Sequence, residues 1–388
     1  MSQFNHMALT SHATGRWRLR PHLTNDGTID WSKFLNRPLF TSNYLDDNDT
    51  IARKTVLITG AGGSIGSALS LRLMSSLAGT LVLIDHSQRN LDALYKEYRE
   101  RDITFPRVEF FPVDILAQEK LQEIFSIHRP HIVFHAAAMK HLPALECAPF
   151  MALEHNVMGT LCLLLAADSS DVECFINVST DKAVNPTSVL GISKRISELL
   201  LLAVEPTALR LISLRLGNVL GSSGSVVPRF MRCLENHQPL RITDPHASRY
   251  FITQEEVVAF LMNTLAISAN SLLLPEMGNQ RRIVELAAFL LNEFQSDVPC
   301  PPMAFTSLQD GEKRSEQLTY DYEYLADTSI PHLHRICGTT NFDPERFSDN
   351  LGRLLERVVK QEKAGFMEAL TDIVPEFTPS NTLLRYVL

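Results

Sequence analysis

Short apolar stretches alternate with longer, more polar stretches through the middle of the chain, beginning at Lys54. The apolar stretches are rich in Val, Ile and Leu, which is typical of strands buried on both faces of a parallel sheet. The segments between them are predicted to be helices, including long ones over roughly 150–168 and 190–204. The predicted strands lie within 54–60, 80–85, 108–115, 131–138, 174–179 and 209–219.

Repeated strand–helix units of this length predict an α/β fold, with a Rossmann-like doubly wound parallel sheet. Beyond about residue 220 the alternation gives way to loops and separate helices. We therefore predict a Rossmann domain over 51–220 and, over 221–388, mainly a smaller C-terminal substrate lobe with helices. Residues 1–50 are polar and irregular. They are predicted to form an N-terminal arm that packs on another surface, such as that of a neighbouring subunit.

A glycine-rich segment, GAGGSIG at 60–66, directly follows the first predicted strand and opens a helix. Missing Cβ atoms let a backbone approach a pyrophosphate, and a helix N-terminus supplies N–H donors and a favourable dipole. The alternative is a tight turn that binds nothing. The predicted cofactor contacts in this segment are Gly60, Gly62, Gly63, Ser64, Ile65 and Gly66.

Asp85 ends the second predicted strand, where a carboxylate accepts both ribose hydroxyls and repels a 2′-phosphate. This position favours NAD over NADP, and nearby Arg89 is the one residue that weakens the preference. Further cofactor contacts are predicted after the third and fourth strands, at Asp114, Ile115, Ala136, Ala137 and Ala138. For Asp114, which ends the third predicted strand, the alternative role is to cap the next helix.

Composition narrows the class of partner and the compartment. The 388 residues carry a net charge of −8 with no long basic run, which argues against a nucleic-acid partner. Six cysteines lack C-x-x-C spacing and are predicted to be reduced, buried thiols of a cytoplasmic protein. We expect no signal core and no membrane span, because no stretch reaches about 18 apolar residues. The thirteen histidines are scattered, so no metal site is predicted.

Five longer motifs carry a resemblance to a known family. The chain resembles the extended short-chain dehydrogenase/reductases of the polysaccharide-biosynthesis group, and more narrowly the UDP-N-acetylglucosamine 4,6-dehydratases. The likeness runs from about residue 34 to about residue 320. It implies NAD as cofactor, a UDP-sugar as substrate and a homo-oligomer of two or more subunits. The motifs are TGAGGSIG, HAAAMKHLPALE, STDKAVNPTSVLGISKR, LRLGNVLGSSGSVVP and RYFIT.

The catalytic pattern of that superfamily is incomplete in this chain. A Tyr-x-x-x-Lys helix normally supplies the base, but here only Lys194 remains and Leu190 occupies the tyrosine position. The resemblance implies that chemistry moves to the segment after the fifth strand: Thr180 polarises the C4 hydroxyl, Asp181 is the acid at C6, and Lys182 is the base at C5. Lys194 is then the residue that orients the cofactor.

The acid role of Asp181 and the base role of Lys182 each require a shifted pKa. Burial is expected to raise the pKa of Asp181 and to lower that of Lys182, and a nearby Lys194 ammonium would lower the latter further. An ion pair between Asp181 and Lys182 would oppose both shifts, and the sequence leaves that balance open. A helix-capping turn is the alternative role for the segment.

Contacts with the substrate are predicted at several separate positions of the chain. Three of these residues have an alternative role: Lys140 as a solvated surface lysine, Asn156 as a hydrogen-bonded amide of the core, and Arg249 as the partner in a surface ion pair. The family's turn before its last helices survives as Gly311-Glu312-Lys313, but Gln309 stands where arginine is expected, which weakens the case for a contact with the uridine diphosphate there. The predicted substrate-binding residues are Lys140, His141, Asn156, Asn218 and Arg249.

Three functions are compatible with these residues. The first is a 4,6-dehydratase that makes a UDP-4-keto-6-deoxy sugar. The second is a C4 epimerase or simple oxidoreductase with the same fold, for which an acid at C6 would be superfluous. The third is a non-catalytic NAD-binding scaffold, to which the loss of the tyrosine would point.

Overall fold

The computed structural model describes residues 29–41, 50–101, 106–205, 208–295, 301–338 and 342–388, together with a short strand, Arg18–Leu19. Within these residues the centre of the molecule is a nine-stranded sheet. Its strands are β1 (Thr55–Thr59), β2 (Thr80–Ile84), β3 (Arg107–Phe111), β4 (Ile132–His135), β5 (Cys174–Thr180), β6 (Arg210–Leu216), β7 (Ser271–Pro275), β8 (Tyr324–Asp327) and β9 (Leu333–Cys337).

The strand order across the sheet is β3-β2-β1-β4-β5-β6-β7-β9-β8. The first seven of these are mutually parallel, and β9 runs antiparallel to both β7 and β8. The order reverses between β1 and β4, and ligands bind at such a switch point in open α/β sheets. The predicted fold class and all six predicted strands are confirmed.

Helices cover both faces of the sheet. The predicted helix over 150–168 is α6 and α7 joined by a π-helical turn, Glu154–Met158. Short 3₁₀ helices lie at Asp181–Ala183 and Thr264–Ala266. The α-helices are α1 (Trp31–Leu35), α2 (Ser64–Leu73), α3 (Gln88–Glu100), α4 (Gln118–His128), α5 (Leu142–Glu146), α6 (Pro149–Leu153), α7 (Gly159–Asp168), α8 (Val189–Ala203), α9 (Val226–Glu235), α10 (Gln254–Asn263), α11 (Ile283–Glu293), α12 (Pro344–Lys360), α13 (Phe366–Ile373) and α14 (Asn381–Val387).

Two apolar cores fill the space between the sheet and its helices. One face packs on α4, α6, α7 and α8, and the C-terminal helices α12, α13 and α14 extend that core. The other face packs on α2, α3 and α10. The strands are buried on both sides, which explains their continuous apolar sequences.

A third, smaller core forms a separate lobe, here called the smaller lobe, from α1, α9 and α11. Three short strand pairs frame this lobe, and a fourth pair joins Arg18–Leu19 to the end of α11. The three pairs are Asn218–Val219 with Phe251–Ile252, Leu240–Ile242 with Met303–Phe305, and Ser248–Arg249 with Arg281–Arg282.

The described part of the predicted N-terminal arm packs on its own chain. Phe34 enters the core of the lobe, and Phe40 stacks on Phe260 of α10 with ring centroids 4.2 Å apart. The Arg37 guanidinium pairs with the Glu256 carboxylate, which also closes the capping box at the start of α10. Most of the remaining arm lies outside the described residues.

The boundary predicted at residue 220 does not divide the sheet. Strands β7, β8 and β9 all come from the later segment and extend the sheet beyond β6. The apolar sequence of β7, SLLLP, resembles the earlier strands, but a long irregular insertion separates it from them. Residues 221–388 therefore complete the sheet and also build the smaller lobe.

Two further predictions change with the structure. The helix Pro149–Asp168 is long and apolar enough to cross a membrane by length and composition alone, contrary to the expectation from sequence. However, 61% of its most apolar window is buried, as in a helix that belongs to the core.

Among the five described cysteines, all free, Cys174 is buried and Cys147 is exposed, so the prediction of buried thiols was wrong for Cys147.

A buried network of charges ties β5 and β6 to helix α8. Arg215 of β6 donates from Nη2 to Glu198 of α8 at 2.8 Å and from Nη1 to Glu323 at 2.8 Å. Glu198 also accepts hydrogen bonds from Ser179 of β5 at 2.7 Å and from Arg195 at 3.0 Å. Burial opposes ionisation, but Arg215 and the other donors lower the pKa of Glu198, so its carboxylate is charged.

One buried cation lacks a comparable partner. Lys194 of α8 is 4% exposed, and its Nζ lies 3.4 Å from the Asn177 side-chain oxygen. Burial lowers the pKa of Lys194 to about 8, and only the more distant Glu198 opposes this shift. Below that pH Lys194 is protonated in the folded protein, and burial of this charge lowers the free energy of unfolding.

Replacing Glu198 with Gln should lower the free energy of unfolding by about 3–5 kcal/mol, because it leaves the Arg215 charge buried without its main partner. Urea unfolding at neutral pH measures the change. The matched control is Glu356→Gln, which breaks an exposed pair with Lys360 on α12 and should leave the unfolding midpoint unchanged. Equal effects of the two variants would contradict the assigned strength of the network.

Replacing Lys194 with Met should raise the free energy of unfolding by about 1–3 kcal/mol at neutral pH, since it removes a buried charge and keeps the side-chain volume. The folded-state pKa is about 8 and the ordinary value 10.5, so the advantage should vanish as the pH rises between those values. Urea unfolding across that range tests this. Lys120→Met, on the exposed face of α4, is the control and should show no such pH dependence.

Candidate active site

The glycine-rich turn between β1 and α2 has the geometry of a backbone cradle. Gly60 has a φ of +66°, and a Cβ there would lie 2.7 Å from the Ala137 Cα. A Cβ on Gly66 would overlap the Gly60 carbonyl. Gly63 precedes the first turn of α2, which Ser64 begins. Only glycines allow this close packing, so the turn fits a ligand that needs bare N–H groups.

Asp85 lies beside this turn, directly after β2. Its buried carboxylate accepts hydrogen bonds from the Gly62 N–H at 3.0 Å and from the Ser87 N–H at 2.9 Å. Arg89 is exposed in the first turn of α3. The turn and the acid therefore fit a dinucleotide with free ribose hydroxyls.

The other predicted cofactor residues line the same edge of the sheet. Asp114 accepts from the Leu116 N–H at 3.0 Å and closes a turn before α4, so it is not the helix N-cap. The Ile115 side chain is buried against Gly159 of α7. Ala136 and Ala137, directly after β4, abut Gly60 of the glycine-rich turn, and Ala138 follows them as an exposed residue.

The predicted catalytic segment begins where β5 ends. The Thr180 hydroxyl donates to Asp181 Oδ1 at 3.0 Å and accepts from the Lys182 N–H at 3.4 Å. Lys182 Nζ lies 3.0 Å from Asp181 Oδ1 and 2.9 Å from the Asn218 side-chain oxygen. The structure thus brings Thr180, Asp181, Lys182 and Asn218 together at the carboxyl ends of β5 and β6.

Asp181 is fully buried, with 0% exposure. Its Oδ2 atom has no hydrogen-bond partner within the part of the chain that the structure describes. Burial raises the pKa of Asp181, against the opposing effect of Lys182, and Glu316 raises it further. The predicted direction for this carboxyl is confirmed, and the group is suited to hold a proton.

The predicted direction for Lys182 was wrong. Burial opposes its charged form, but Asp181 and Glu316 together raise the pKa of Lys182 above its ordinary value. The ion-pairing effect that the sequence left open therefore outweighs desolvation. The cation that acts against protonation of Lys182 is Arg249, whereas a contribution from Lys194 was predicted.

The tyrosine position of α8 is apolar in structure as well as in sequence. Leu190 is buried among core side chains and offers no group for proton transfer. Four residues later, Lys194 projects toward Asn177 at the centre of the sheet. At the tyrosine position, α8 therefore carries no titratable side chain, and its nearest titratable group on this side is Lys194.

Asn156 supports the site from the π-helical turn. It accepts from the Met139 N–H at 2.8 Å and donates to the Met139 carbonyl at 3.0 Å and to the Ser193 hydroxyl at 2.9 Å. It is buried and its donors and acceptor are used. The alternative of a satisfied core amide is confirmed, and the prediction of a direct substrate contact was wrong because the side chain is enclosed.

Two loops meet above the glycine-rich turn. Lys140 and His141 are exposed after β4, and the surroundings desolvate Lys140 enough to lower its pKa. The His141 ring packs over Gly224, where a Cβ would clash with it. In the same loop, the Ser223 N–H donates to the Ser64 hydroxyl at 2.8 Å. The loop that opens the smaller lobe thus contacts the glycine-rich turn directly.

Arg249 is not a surface ion-pair partner. It is buried, and its guanidinium donates to Glu312 at 2.7 Å and to the carbonyls of Ser248 and Arg314 at 2.7 and 3.0 Å. Glu312 belongs to the Gly311 turn, so its bond with Arg249 ties this turn to the short strand Ser248–Arg249. Gln309 is exposed at its edge.

The sequence analysis missed two charged residues of the site. Lys313 donates to the Val184 carbonyl at 2.7 Å, and Glu316 lies 3.7 Å from Lys182 Nζ and 3.1 Å from Lys313 Nζ. The available signal was the turn Gly311-Glu312-Lys313, which Glu316 follows by three residues. Among the described residues, no group of three His, Cys, Asp or Glu side chains is arranged to hold a metal ion.

Two curated relatives are named as polysaccharide biosynthesis proteins. The chain is 32% identical to a probable polysaccharide biosynthesis protein EpsC of Bacillus subtilis, over 86% of this chain and 55% of that protein. It is 33% identical to the capsular polysaccharide biosynthesis protein CapD of Staphylococcus aureus, over 69% and 45%. The chain therefore spans about half the length of these two relatives.

A third relative carries a different name. The chain is 30% identical to a UDP-glucose 4-epimerase of Rickettsia rickettsii, over 73% of this chain and 82% of that protein.

Solved structures share the fold. Pen from Bacillus thuringiensis matches with a TM-score of 0.68 at 24% identity, over 75% of this chain and 90% of that one. A double mutant of DesIV, a dTDP-glucose 4,6-dehydratase from Streptomyces venezuelae solved with NAD bound, matches with a TM-score of 0.59 at 21% identity, over 68% and 88%.

The family model described as polysaccharide biosynthesis protein matches residues 56–337, from the first strand of the sheet to its last. This range includes the glycine-rich turn, the segment after β5 and the Gly311 turn. The chain therefore belongs to the polysaccharide biosynthesis protein family, within the extended short-chain dehydrogenase/reductases.

Proposed function

We propose that this chain is an NAD-dependent nucleotide-sugar 4,6-dehydratase that converts UDP-N-acetylglucosamine to a UDP-4-keto-6-deoxy sugar. One observation carries the proposal. Asp181, fully buried and with a raised pKa, lies next to Lys182 at the end of β5. Elimination of water from C5 and C6 requires an acid that takes up and delivers a proton and a neighbouring group that becomes a base on losing one, and Asp181 and Lys182 are such a pair.

The atoms of the proposed reaction balance without a further reactant. The glycine-rich turn and Asp85 would hold NAD, which would supply the acceptor for the hydride that leaves sugar C4 and the donor for the hydride that C6 receives. The C4 hydroxyl proton and the C6 hydroxyl leave together as water, and C5 exchanges its proton with Lys182. The product therefore differs from the substrate by one water and carries a ketone at C4.

The residues divide this work by position. Thr180 relays the C4 hydroxyl proton in place of the missing tyrosine: its hydroxyl accepts that proton while its own proton passes to the ionised Asp181 carboxylate, to which it is bonded. Asp181 passes that proton to the C6 oxygen, and its raised pKa favours the protonated carboxyl between the two steps. Lys182 releases its own proton to solvent, takes the C5 proton, and returns a proton to C5 once C6 has received the hydride; its raised pKa means that the first of these steps is favoured at alkaline pH. Lys194 orients the nicotinamide ribose.

Two features support the choice of a UDP-sugar and NAD. Asp85 lies where a 2′-phosphate would be repelled, which favours NAD. Lys140 and the Gly311 turn, with Lys313, place cations around the cleft in which a diphosphate would lie. Arg249 is enclosed and contributes to the same local potential.

A C4 epimerase is the second candidate, because a relative of that name aligns over most of its own length. Epimerisation shares the C4 oxidation but needs no acid at C6 and no base at C5. A fully buried acid held against a lysine would then be unexplained.

Incubation of the purified chain with NAD and UDP-N-acetylglucosamine should give a product lighter by one water in mass spectrometry. In heavy water that product should carry deuterium at C5, since Lys182 exchanges its proton with solvent. A product of unchanged mass with inverted C4 would establish the epimerase. Binding of NAD without any turnover would point to the non-catalytic scaffold.

Replacing Lys182 with Met should slow formation of the keto sugar by about 10²–10⁴-fold, because the base at C5 is removed. Oxidation at C4 should continue, so that reduced nicotinamide accumulates in a single turnover, as followed by its absorbance. Lys120→Met, on an exposed face, is the control and should behave as the unmodified protein. Full dehydratase activity in the Lys182 variant would exclude it as the base.

A further inference from the structure

We propose that Glu316 is a positioning residue for Lys182: its carboxylate, anchored by Lys313, holds the Lys182 ammonium so that Asp181 is left as the carboxyl that carries the proton. The inference rests on the proposed dehydratase function and adds to it a residue that lies 135 positions after Asp181 in the chain.

The geometry puts one amine between two carboxylates. Lys182 Nζ lies 3.0 Å from Asp181 Oδ1 and 3.7 Å from Glu316 Oε1. Glu316 is 4% exposed, so water screens this charge very little. A buried carboxylate at this distance from a lysine acts on its protonation and on its orientation.

Glu316 is itself fixed from two sides. Its Oε2 lies 3.1 Å from Lys313 Nζ, and Lys313 is held by the Val184 carbonyl just beyond the catalytic segment. The Glu316 main-chain carbonyl accepts from the Gln280 side chain at 2.9 Å. The carboxylate is therefore ion-paired with two lysines beside the segment after β5, and its Oε2 atom has no hydrogen-bond partner among the described residues.

The surroundings shift the pKa values of Asp181 and Glu316 in opposite directions. Burial raises the pKa of Asp181, and Lys182 is the one cation that opposes it. Glu316 is also buried, but Lys182, Lys313 and Arg249 lower its pKa below the ordinary value. Two carboxyl groups whose environments differ in this way take different roles, one as acid and one as permanent anion.

This division has a consequence for catalysis. Glu316 stays charged, keeps Lys182 in place and repels negative charge on Asp181. Lys182 then loses its proton only at a higher pH than it would beside Asp181 alone. The pH dependence of the reaction is therefore set partly by a residue that touches no substrate.

The test compares Glu316→Gln, which removes the charge, with Glu316→Asp, which keeps it. In the Gln variant the profile of kcat against pH should move to lower pH by about 1 unit, because Lys182 and Asp181 both lose the influence of a close anion. The KM for the UDP-sugar should change less than kcat at alkaline pH. The Asp variant should keep the position of the wild-type profile.

The control is Asp310→Asn in the same turn. The Asp310 carboxylate accepts from the N–H groups of Asn381 and Thr382 at the start of α14, so its loss perturbs the turn without altering the charge at Lys182. Its profile should stay in place. A Gln variant of Glu316 whose profile also stays in place, whatever its rate, would show that Glu316 is only structural.

A second measurement separates this inference from the proposed function. Reductive methylation with ¹³C-formaldehyde makes each accessible lysine visible by NMR, and the Lys182 signal is the one missing from the Lys182→Met variant. Its titration midpoint should fall in Glu316→Gln. An unchanged midpoint overturns the positioning role even if the dehydratase is active. A lowered midpoint in a chain that makes no keto sugar supports the pairing and refutes the function.

Discussion

The buried pair formed by Arg215 and Glu198 holds the active-site edge of the sheet together. Arg215 belongs to β6, Glu198 to α8, and Glu323 brings the segment that follows the Gly311 turn to the same point. Each of these elements carries a residue of the candidate site. Buried charges of this kind tolerate little displacement, because any loss of a partner exposes an uncompensated charge to a low-dielectric interior. The relative positions of Asp181, Lys194 and Glu316 depend on this contact.

Much of the fold was predictable because its signals are local. The strands β1 to β6 are continuous apolar runs, and the glycine-rich turn is read directly from GAGGSIG. Strand β7 has an equally apolar sequence, but it lies after a long insertion, and β9 pairs antiparallel with it. Membership of a sheet is decided by such distant pairings, which the strand–helix rhythm does not encode. The prediction of a boundary at 220 followed from that rhythm alone.

The candidate site was predictable in its members and less so in its electrostatics. Thr180, Asp181 and Lys182 are adjacent in sequence, so their contact required no knowledge of the fold. Glu316 reaches them only through the fold, and it adds to the effect of Asp181 that raises the pKa of Lys182 against the predicted direction. Desolvation can be anticipated from an apolar sequence context, whereas the distance between two charges far apart in the chain cannot.

The bond between the Ser223 N–H and the Ser64 hydroxyl joins the glycine-rich turn to the loop that opens the smaller lobe. Under the proposed function, a dinucleotide would lie on one side of this bond and a nucleotide sugar on the other. A ligand that broke the bond from one side would change the free energy of binding on the other. Linkage would then require this coupling free energy to be reciprocal, so that each ligand altered the affinity for the other by the same factor.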